Sequence, residues 1–141
     1  MVDINIDKIL PKLTKIIGTD RLQINVPMNE HTTMRVGGLA KVLVLPESCE
    51  EVINIKKLLS DMEIPHYIIG NGSNLIVADA GYSGIIIKLS DNFSGVSVEG
   101  NEITALAGTN IIAVSNAVLK HSLSGLEFAA GIPGTTGGAV A

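Results

Sequence analysis

The chain has 141 residues, about one domain, and its 46% apolar and 17% charged residues exclude a disordered chain. Ten Lys and Arg against 14 Asp and Glu give a net charge of −4, and aromatic residues make up only 3%. Without a basic cluster or stacking aromatics, nucleic acid is not expected as a partner. No apolar run approaches the ~20 residues of a membrane-spanning helix, and the N-terminus has no secretory signal, so we expect a cytoplasmic protein without a membrane partner.

The first half of the chain is predicted to alternate helices and strands. Apolar residues at helical spacing predict a helix over 6–17, which Pro11 would either start or kink. Residues 24–38 show no clean period and are predicted as an ordered loop. A strand follows at Lys41–Leu45. Ser48 and Glu51 then form a capping box, which predicts the start of a second helix.

The second half of the chain is predicted to contain mainly strands. These lie at His66–Ile69, Leu75–Ala78 and Ile85–Leu89, and Gly100-Asn101 indicates a hairpin with a strand on each side. Asn110 is predicted to cap the last helix. The order of elements indicates an α+β fold with a small βαβ unit near its start.

Fifteen glycines are the main compositional oddity, and they gather in clusters. Such clusters mark tight turns or places where the backbone approaches another group closely. The last cluster falls in the glycine-rich tail Glu127–Ala141. A domain seldom ends in such sequence, so we expect the chain to be a fragment.

The loop Gly70–Leu75 follows an apolar strand and has the composition of an anion-binding nest. Two glycines let successive amides turn toward one point, and the side chains of Ser73 and Asn74 add donors. A Rossmann fingerprint is excluded, because Leu75 replaces the third glycine and a strand is predicted to follow. A plain tight turn explains the same residues equally well.

The segment Gly131–Gly138 is a second loop with a flexible backbone and two hydroxyl groups. It lacks the Gly-Lys-Ser/Thr ending of a P-loop, which disfavours nucleoside triphosphate hydrolysis. Two phosphate-compatible loops together suit a ligand with more than one phosphate, or an extended dinucleotide.

No catalytic constellation and no metal site can be assigned from the residues. His31, His66 and His121 are dispersed without metal-ligand spacing, which makes a zinc site unexpected. Cys49 lies in the first turn of a predicted helix, but no motif ties a base to it, so an inert thiol is the preferred interpretation.

Three motifs in order carry a resemblance to a known family. The segments Asn29–Gly38, Gly70–Val77 and Gly125–Val140 are together similar to the N-terminal half of bacterial UDP-N-acetylenolpyruvoylglucosamine reductase, also called UDP-N-acetylmuramate dehydrogenase. The resemblance runs from about residue 20 to the end. Any single motif would be a weak signal.

The resemblance implies a FAD-binding domain of the vanillyl-alcohol oxidase type, with two α/β subdomains and the cofactor between them. Residues 1–28 would be an N-terminal helix and lead-in, and 29–141 an incomplete FAD-binding domain without the substrate domain. Thr33 and Arg35 would lie near the flavin, unless Arg35 only braces its loop. The implied cofactor-binding residues are Gly70, Asn71, Gly72, Ser73, Asn74, Leu75, Ile76, Gly131, Ile132, Pro133, Gly134, Gly137 and Gly138.

In that family NADPH reduces FAD, and the flavin then reduces UDP-N-acetylglucosamine enolpyruvate during peptidoglycan precursor synthesis. The family's catalytic serine, glutamate and arginine have no match here, so the fragment alone is expected to be inactive. Two alternatives stay open from the sequence. One is another flavin oxidoreductase, such as an α-hydroxy-acid or alcohol oxidase, and the other is a non-enzymatic binding module.

Overall fold

A computed structural model of the chain describes residues 4–141. Its helices are α1 (Ile6–Ile17), α2 (Cys49–Asp61), α3 (Ile111–Lys120) and α4 (Thr136–Val140). Its strands are β1 (Leu22–Pro27), β2 (Leu39–Val44), β3 (His66–Ile69), β4 (Tyr82–Lys88), β5 (Val96–Glu99) and β6 (Glu102–Ala105). Short 3₁₀ segments lie at Met28–Glu30, Asp91–Phe93 and Glu127–Gly131. Among the helices of residues 4–141, not one has the length and apolar character needed to cross a membrane.

The larger of two sheets has the strand order β1-β2-β4-β3. β2 and β3 both run parallel to β4, whereas β1 pairs antiparallel with β2. β2, α2 and β3 form the predicted βαβ unit, and β4 lies between its two strands. The predicted α+β class is therefore confirmed.

Alternation along the central strands divides the core between the two faces of this sheet. Val42 and Val44 of β2 face α1 and α2, and they pack in one cluster with Ile9 and Ile55. Leu43 between them points to the opposite face. α1 is thus part of the same core as the sheet, and the sheet is covered on that side by two amphipathic helices.

The opposite face of the sheet is covered by the chain that connects β3 to β4. Leu75 and Val77 of this connection pack on Leu43, Met28 and Ile86. This packing fixes the glycine loop Gly70–Asn74 at the carboxyl end of β3. The fold therefore places that loop beside the end of a parallel strand, where α/β sheets usually bind ligands.

A second unit consists of the β5–β6 hairpin, α3 and the chain that follows them. Ile111 and Val114 of α3 pack with Ala129, and Ile103 of the hairpin lies against this cluster. The side chain of Asn110 accepts a hydrogen bond from the Ile112 amide at 2.9 Å. The predicted hairpin and the predicted helix cap are both confirmed.

The structure also resolves how α1 accommodates its proline. The helix begins after Asn5, whose side chain accepts from the Lys8 amide, so Pro11 neither starts nor ends it. Pro11 lies on the exposed side, opposite the buried Ile9 and Leu13. The backbone carbonyl that loses its partner at a helical proline therefore faces water.

The start of α2 is held by its cap and by an ion pair. Ser48 Oγ accepts from the Glu51 amide at 3.2 Å, as the capping box predicts. The Glu51 carboxylate receives two hydrogen bonds from the Arg21 guanidinium, each of 2.8 Å, and one from the Glu47 amide at 2.7 Å. This pair ties the chain before β1 to the first turn of α2.

The prediction of a loop over 24–38 is wrong in its first part. β1 occupies Leu22–Pro27 and a 3₁₀ turn follows at Met28–Glu30. β1 is an edge strand whose side chains are mostly exposed, so its sequence has no alternation. Its backbone pairing with β2 holds it, and that partner is known only from the fold.

The predicted strand at Leu75–Ala78 is also wrong. The segment has no regular secondary structure and pairs with no strand, because it crosses the face of the sheet, where Leu75 and Val77 pack, instead of joining an edge. Its apolar residues instead alternate between the sheet and solvent, and Ile76 is 72% exposed. The run of apolar residues from Leu75 to Ala78 predicts a buried strand, whereas in the structure only the side of the segment that faces the sheet is covered.

Candidate functional site

The two glycine loops come together in one groove between the two units. This groove has a volume of about 390 Å³. Ten of the thirteen predicted cofactor-binding residues line it: Gly70, Asn71, Gly72, Ser73, Asn74, Leu75, Ile132, Pro133, Gly134 and Gly138. Loops about 60 residues apart in the sequence thus form a single concave surface.

Direct packing holds the loops against one another. A β-carbon at Gly70 would overlap the Thr135 side chain, so only glycine permits this approach. A β-carbon at Gly134 would lie 2.9 Å from Ser73 Oγ. Thr135 itself is 3% exposed and its hydroxyl accepts from the Gly138 amide at 3.3 Å. The two loops therefore meet where the backbone of a glycine lies against a small hydroxyl side chain, and bulky side chains do not separate them.

The first loop presents amides that have no protein acceptor. Within residues 4–141, the amides of Gly72, Ser73 and Asn74 donate no hydrogen bond. Gly72 has a φ of +66°, and its carbonyl accepts from the Thr33 amide at 3.0 Å. Successive free amides beside a residue of positive φ are the geometry of an anion-binding nest.

The second loop is anchored to the start of α3. The Thr136 amide donates to the Thr109 carbonyl at 2.7 Å, and the Ile111 amide donates to Gly134 at 3.1 Å. The Gly137 amide donates to Ala107 at 2.8 Å. These bonds fix the loop opposite Gly70–Asn74.

Three of the predicted cofactor-binding residues lie elsewhere. Ile76 is on the exposed side of the connection to β4, Gly137 packs on Ala107, and Gly131 ends a 3₁₀ segment outside the groove. The groove also includes residues that the sequence did not single out. These are Ile68, Ile69, Thr135, Ala139 and Ala141.

The motif Asn29–Gly38 packs beside the first glycine loop. The Gly38 amide donates to the Ala78 carbonyl at 3.0 Å, which joins the motif to the connection between β3 and β4. Thr33 and Arg35 do not line the groove. They line a neighbouring pocket of about 710 Å³ that shares only Asn71 with it.

The groove carries hydrogen-bonding groups but no titratable side chain. It is lined by glycines, by amide and hydroxyl side chains and by aliphatic side chains.

The histidines are dispersed: His66 Nδ1 lies 2.9 Å from the Ile64 carbonyl oxygen, and His121 Nδ1 lies 2.9 Å from that of Ala117. Among residues 4–141 there is no group of side chains suited to a metal ion, and Cys49 is exposed. The groove can bind and orient a ligand, and its side chains include no carboxylate, imidazole or ammonium group.

Comparisons with known proteins agree with this geometry. A family model described as "FAD binding domain" matches residues 40–141. UDP-N-acetylenolpyruvoylglucosamine reductase of Alkaliphilus oremlandii is 44% identical over 128 residues, 91% of this chain and 42% of that protein. The enzyme of the same name from Caldanaerobacter subterraneus is 44% identical over 132 residues, 94% of this chain and 43% of that protein.

Two solved structures share the fold. The crystal structure of UDP-N-acetylenolpyruvylglucosamine reductase (MurB) from Thermus caldophilus has a TM-score of 0.65 and 34% identity, over 84% of this chain and 41% of that one. p-Cresol methylhydroxylase has a TM-score of 0.60, over 83% of this chain and 25% of that one. At 15% identity this second likeness shows the fold alone.

The chain spans about two fifths of the length of the curated relatives that it matches. Over that span, the predicted resemblance to the reductase family and the predicted flavin-binding fold are confirmed. Because the matched model covers most of the sequence, the chain belongs to the FAD binding domain family.

Proposed function

We propose that the groove between the two glycine loops holds FAD. The observation that carries the proposal is the row of free amides at Gly72–Asn74, which faces a second glycine loop across a groove without acidic side chains. Amides of this kind stabilise phosphate oxygens without a counter-charge. We place the pyrophosphate at Gly70–Asn74 and the rest of the cofactor along Ile132–Gly138.

The proposed site contains the ten groove-lining residues named above, together with Thr135 and Ala139. Ile76, Gly131 and Gly137 are left out of it, since they lie away from the groove. The boundary proposed for the FAD-binding domain stays at residue 29, with residues 1–28 as its N-terminal helix and lead-in.

We infer that this chain is the FAD-binding part of a peptidoglycan-precursor reductase. The names of its relatives support a reduction of UDP-N-acetylglucosamine enolpyruvate to UDP-N-acetylmuramate. NADPH is the proposed reductant and the cytoplasm the proposed location. Bound FAD would supply hydride transfer.

The residues of this chain would bind and orient that cofactor. None of the side chains that line the groove titrates near neutral pH. We therefore expect the catalytic serine, glutamate and arginine that the resemblance implies to lie in parts of the relatives that this chain does not span.

FAD titration of groove variants tests the proposed cofactor site. Ala139 lines the groove, whereas its neighbour Val140 does not and is 84% exposed. Both lie in α4, so Ala139→Phe and Val140→Phe add an aromatic ring on the two sides of one short helix. We expect Ala139→Phe to weaken FAD binding by about tenfold or more, and Val140→Phe to leave it unchanged.

Calorimetry of the purified 141-residue chain and of both variants measures the two affinities. Equal FAD affinity in the two variants would show that the cofactor does not occupy this groove. A chain that binds no FAD at all contradicts the proposal for this chain directly.

A further inference from the structure

A second pocket lies beside the groove, at the carboxyl ends of β3 and β4. Lys88 is the last residue of β4 and pairs with Ile69, the last residue of β3. The pocket around it has a volume of about 710 Å³ and touches the groove only through Asn71. His31 and Arg35 also line it, and Arg35 brings a second cation.

Lys88 is a half-buried cation that forms no ion pair with a carboxylate of residues 4–141. Burial lowers the pKa of its ammonium, and the negative charge of Asp91 opposes this shift only in part. Lys88 Nζ lies 3.0 Å from His31 Nδ1. An ammonium group can only donate, so His31 accepts this hydrogen bond through Nδ1. Burial and the charge of Lys88 both lower the pKa of His31. Lys88 keeps further donors for a ligand.

Arg35 adds a second cation from a strained position. It has a φ of +52°, which a residue with a β-carbon seldom adopts, and its guanidinium has no ion pair among the described residues. The loop is held by hydrogen bonds from the Arg35 amide to the Thr32 carbonyl and from Thr32 Oγ1 to Val36. A fixed and strained backbone at a binding surface is typical of functional positions.

We propose that Lys88, Arg35 and Asn71 form a binding site for a phosphate group. The pocket offers two cations that form no ion pair among the described residues, together with an amide donor and the Thr33 hydroxyl. This set of groups suits a dianionic phosphate better than a cation or an apolar ligand. Glu30 is the one acidic side chain on the wall of this pocket. A single carboxylate against two cations leaves the pocket with a positive balance.

The phosphate group has two possible sources. It can be one phosphate of the cofactor's pyrophosphate, reached from the Gly70–Asn74 loop through the shared Asn71, or the phosphate of a second ligand bound next to the groove. Only the choice between these sources rests on the proposed function, since the charges and the pocket exist without FAD.

The test is a titration of the ¹⁵N-labelled chain with inorganic phosphate, followed by NMR. We expect the amide signals of His31, Asn71 and Lys88 to shift together with one dissociation constant. Lys88→Gln should raise that constant by about tenfold or more, because a charge-assisted hydrogen bond is lost. Arg35→Gln should raise the dissociation constant as well. Because Arg35 is exposed, this variant should stay folded and tests the site even if Lys88→Gln unfolds.

Lys57→Gln, which removes an exposed lysine from α2, is the matched control for charge. Phosphate shifts that survive both pocket substitutions, or that Lys57→Gln removes equally, would overturn the proposal. Shifts that disappear when FAD is added assign the site to the cofactor, and shifts that persist assign it to a second ligand. The phosphate titration needs no FAD, so its outcome is independent of whether the proposed cofactor site is right.

Discussion

Substitution of Gly72 by alanine tests whether the first glycine loop is pressed against the motif Asn29–Gly38. A β-carbon at Gly72 would overlap the carbonyl oxygen of His31 and lie 3.0 Å from the α-carbon of Thr32. Both are backbone atoms, which cannot rotate away. Gly72 lines the groove, but the side of its α-carbon where a β-carbon would stand is pressed against His31 and Thr32.

The expected loss of stability has two parts. A left-handed backbone with a φ of +66° costs alanine about 1–2 kcal/mol. The overlap with His31 adds about 1–3 kcal/mol, as for other insertions into packed sites. Gly100 supplies the control, because its φ is +59° and nothing lies within 4 Å of its β-carbon position. Gly100→Ala should show only the backbone cost.

Urea denaturation of the two variants measures this difference in the free energy of unfolding. We expect Gly72→Ala to be less stable than Gly100→Ala by about 1–3 kcal/mol. If the two variants lose the same stability, the loop does not contact residues 31–32. Any loss of FAD by Gly72→Ala should accompany this destabilisation, since the new methyl group does not enter the groove.

Three further predictions follow from the same structure. The pKa of Glu51 is lowered, chiefly by its hydrogen bonds from Arg21. The ionised carboxylate therefore stabilises the fold at pH values above the pKa of Glu51 in the unfolded chain. This stabilisation is lost as the pH falls through the lower pKa of Glu51 in the folded chain. Between about pH 7 and about pH 3, Glu51→Gln should therefore lose less stability than the parent chain, by about 0.5–1 kcal/mol in urea denaturation. Glu50→Gln, which removes an exposed carboxylate without an ion pair among the described residues, is the matched control. Hydrogen exchange should be slow at Ile86 in the central β4 and fast at Ile76, and similar rates would contradict the strand order. The isolated chain with FAD should not oxidise NADPH when UDP-N-acetylglucosamine enolpyruvate is added, and turnover would show that its catalytic groups lie within residues 1–141.

The sequence determined those elements whose signals are local. A helical stripe, a capping residue or a two-residue turn is encoded within a few positions, and so α1, α2, α3 and the hairpin were predicted. The three motifs also identified the family, because several short motifs in a fixed order are specific even where each alone is weak. Ten of the thirteen residues predicted to bind the cofactor lie along one groove, and their role in binding stays a prediction.

Tertiary structure alone decided what depends on a distant partner. β1 has no apolar alternation and exists because β2 pairs with it. Leu75–Ala78 has the composition of a strand but packs across the face of the sheet and pairs with no strand. Packing likewise turned Gly137 toward Ala107 and away from the groove. It also brought Lys88 to His31, 57 positions away, to form a charged pocket. Neither position carries a local signal for this contact, because strand register and chain crossing determine it.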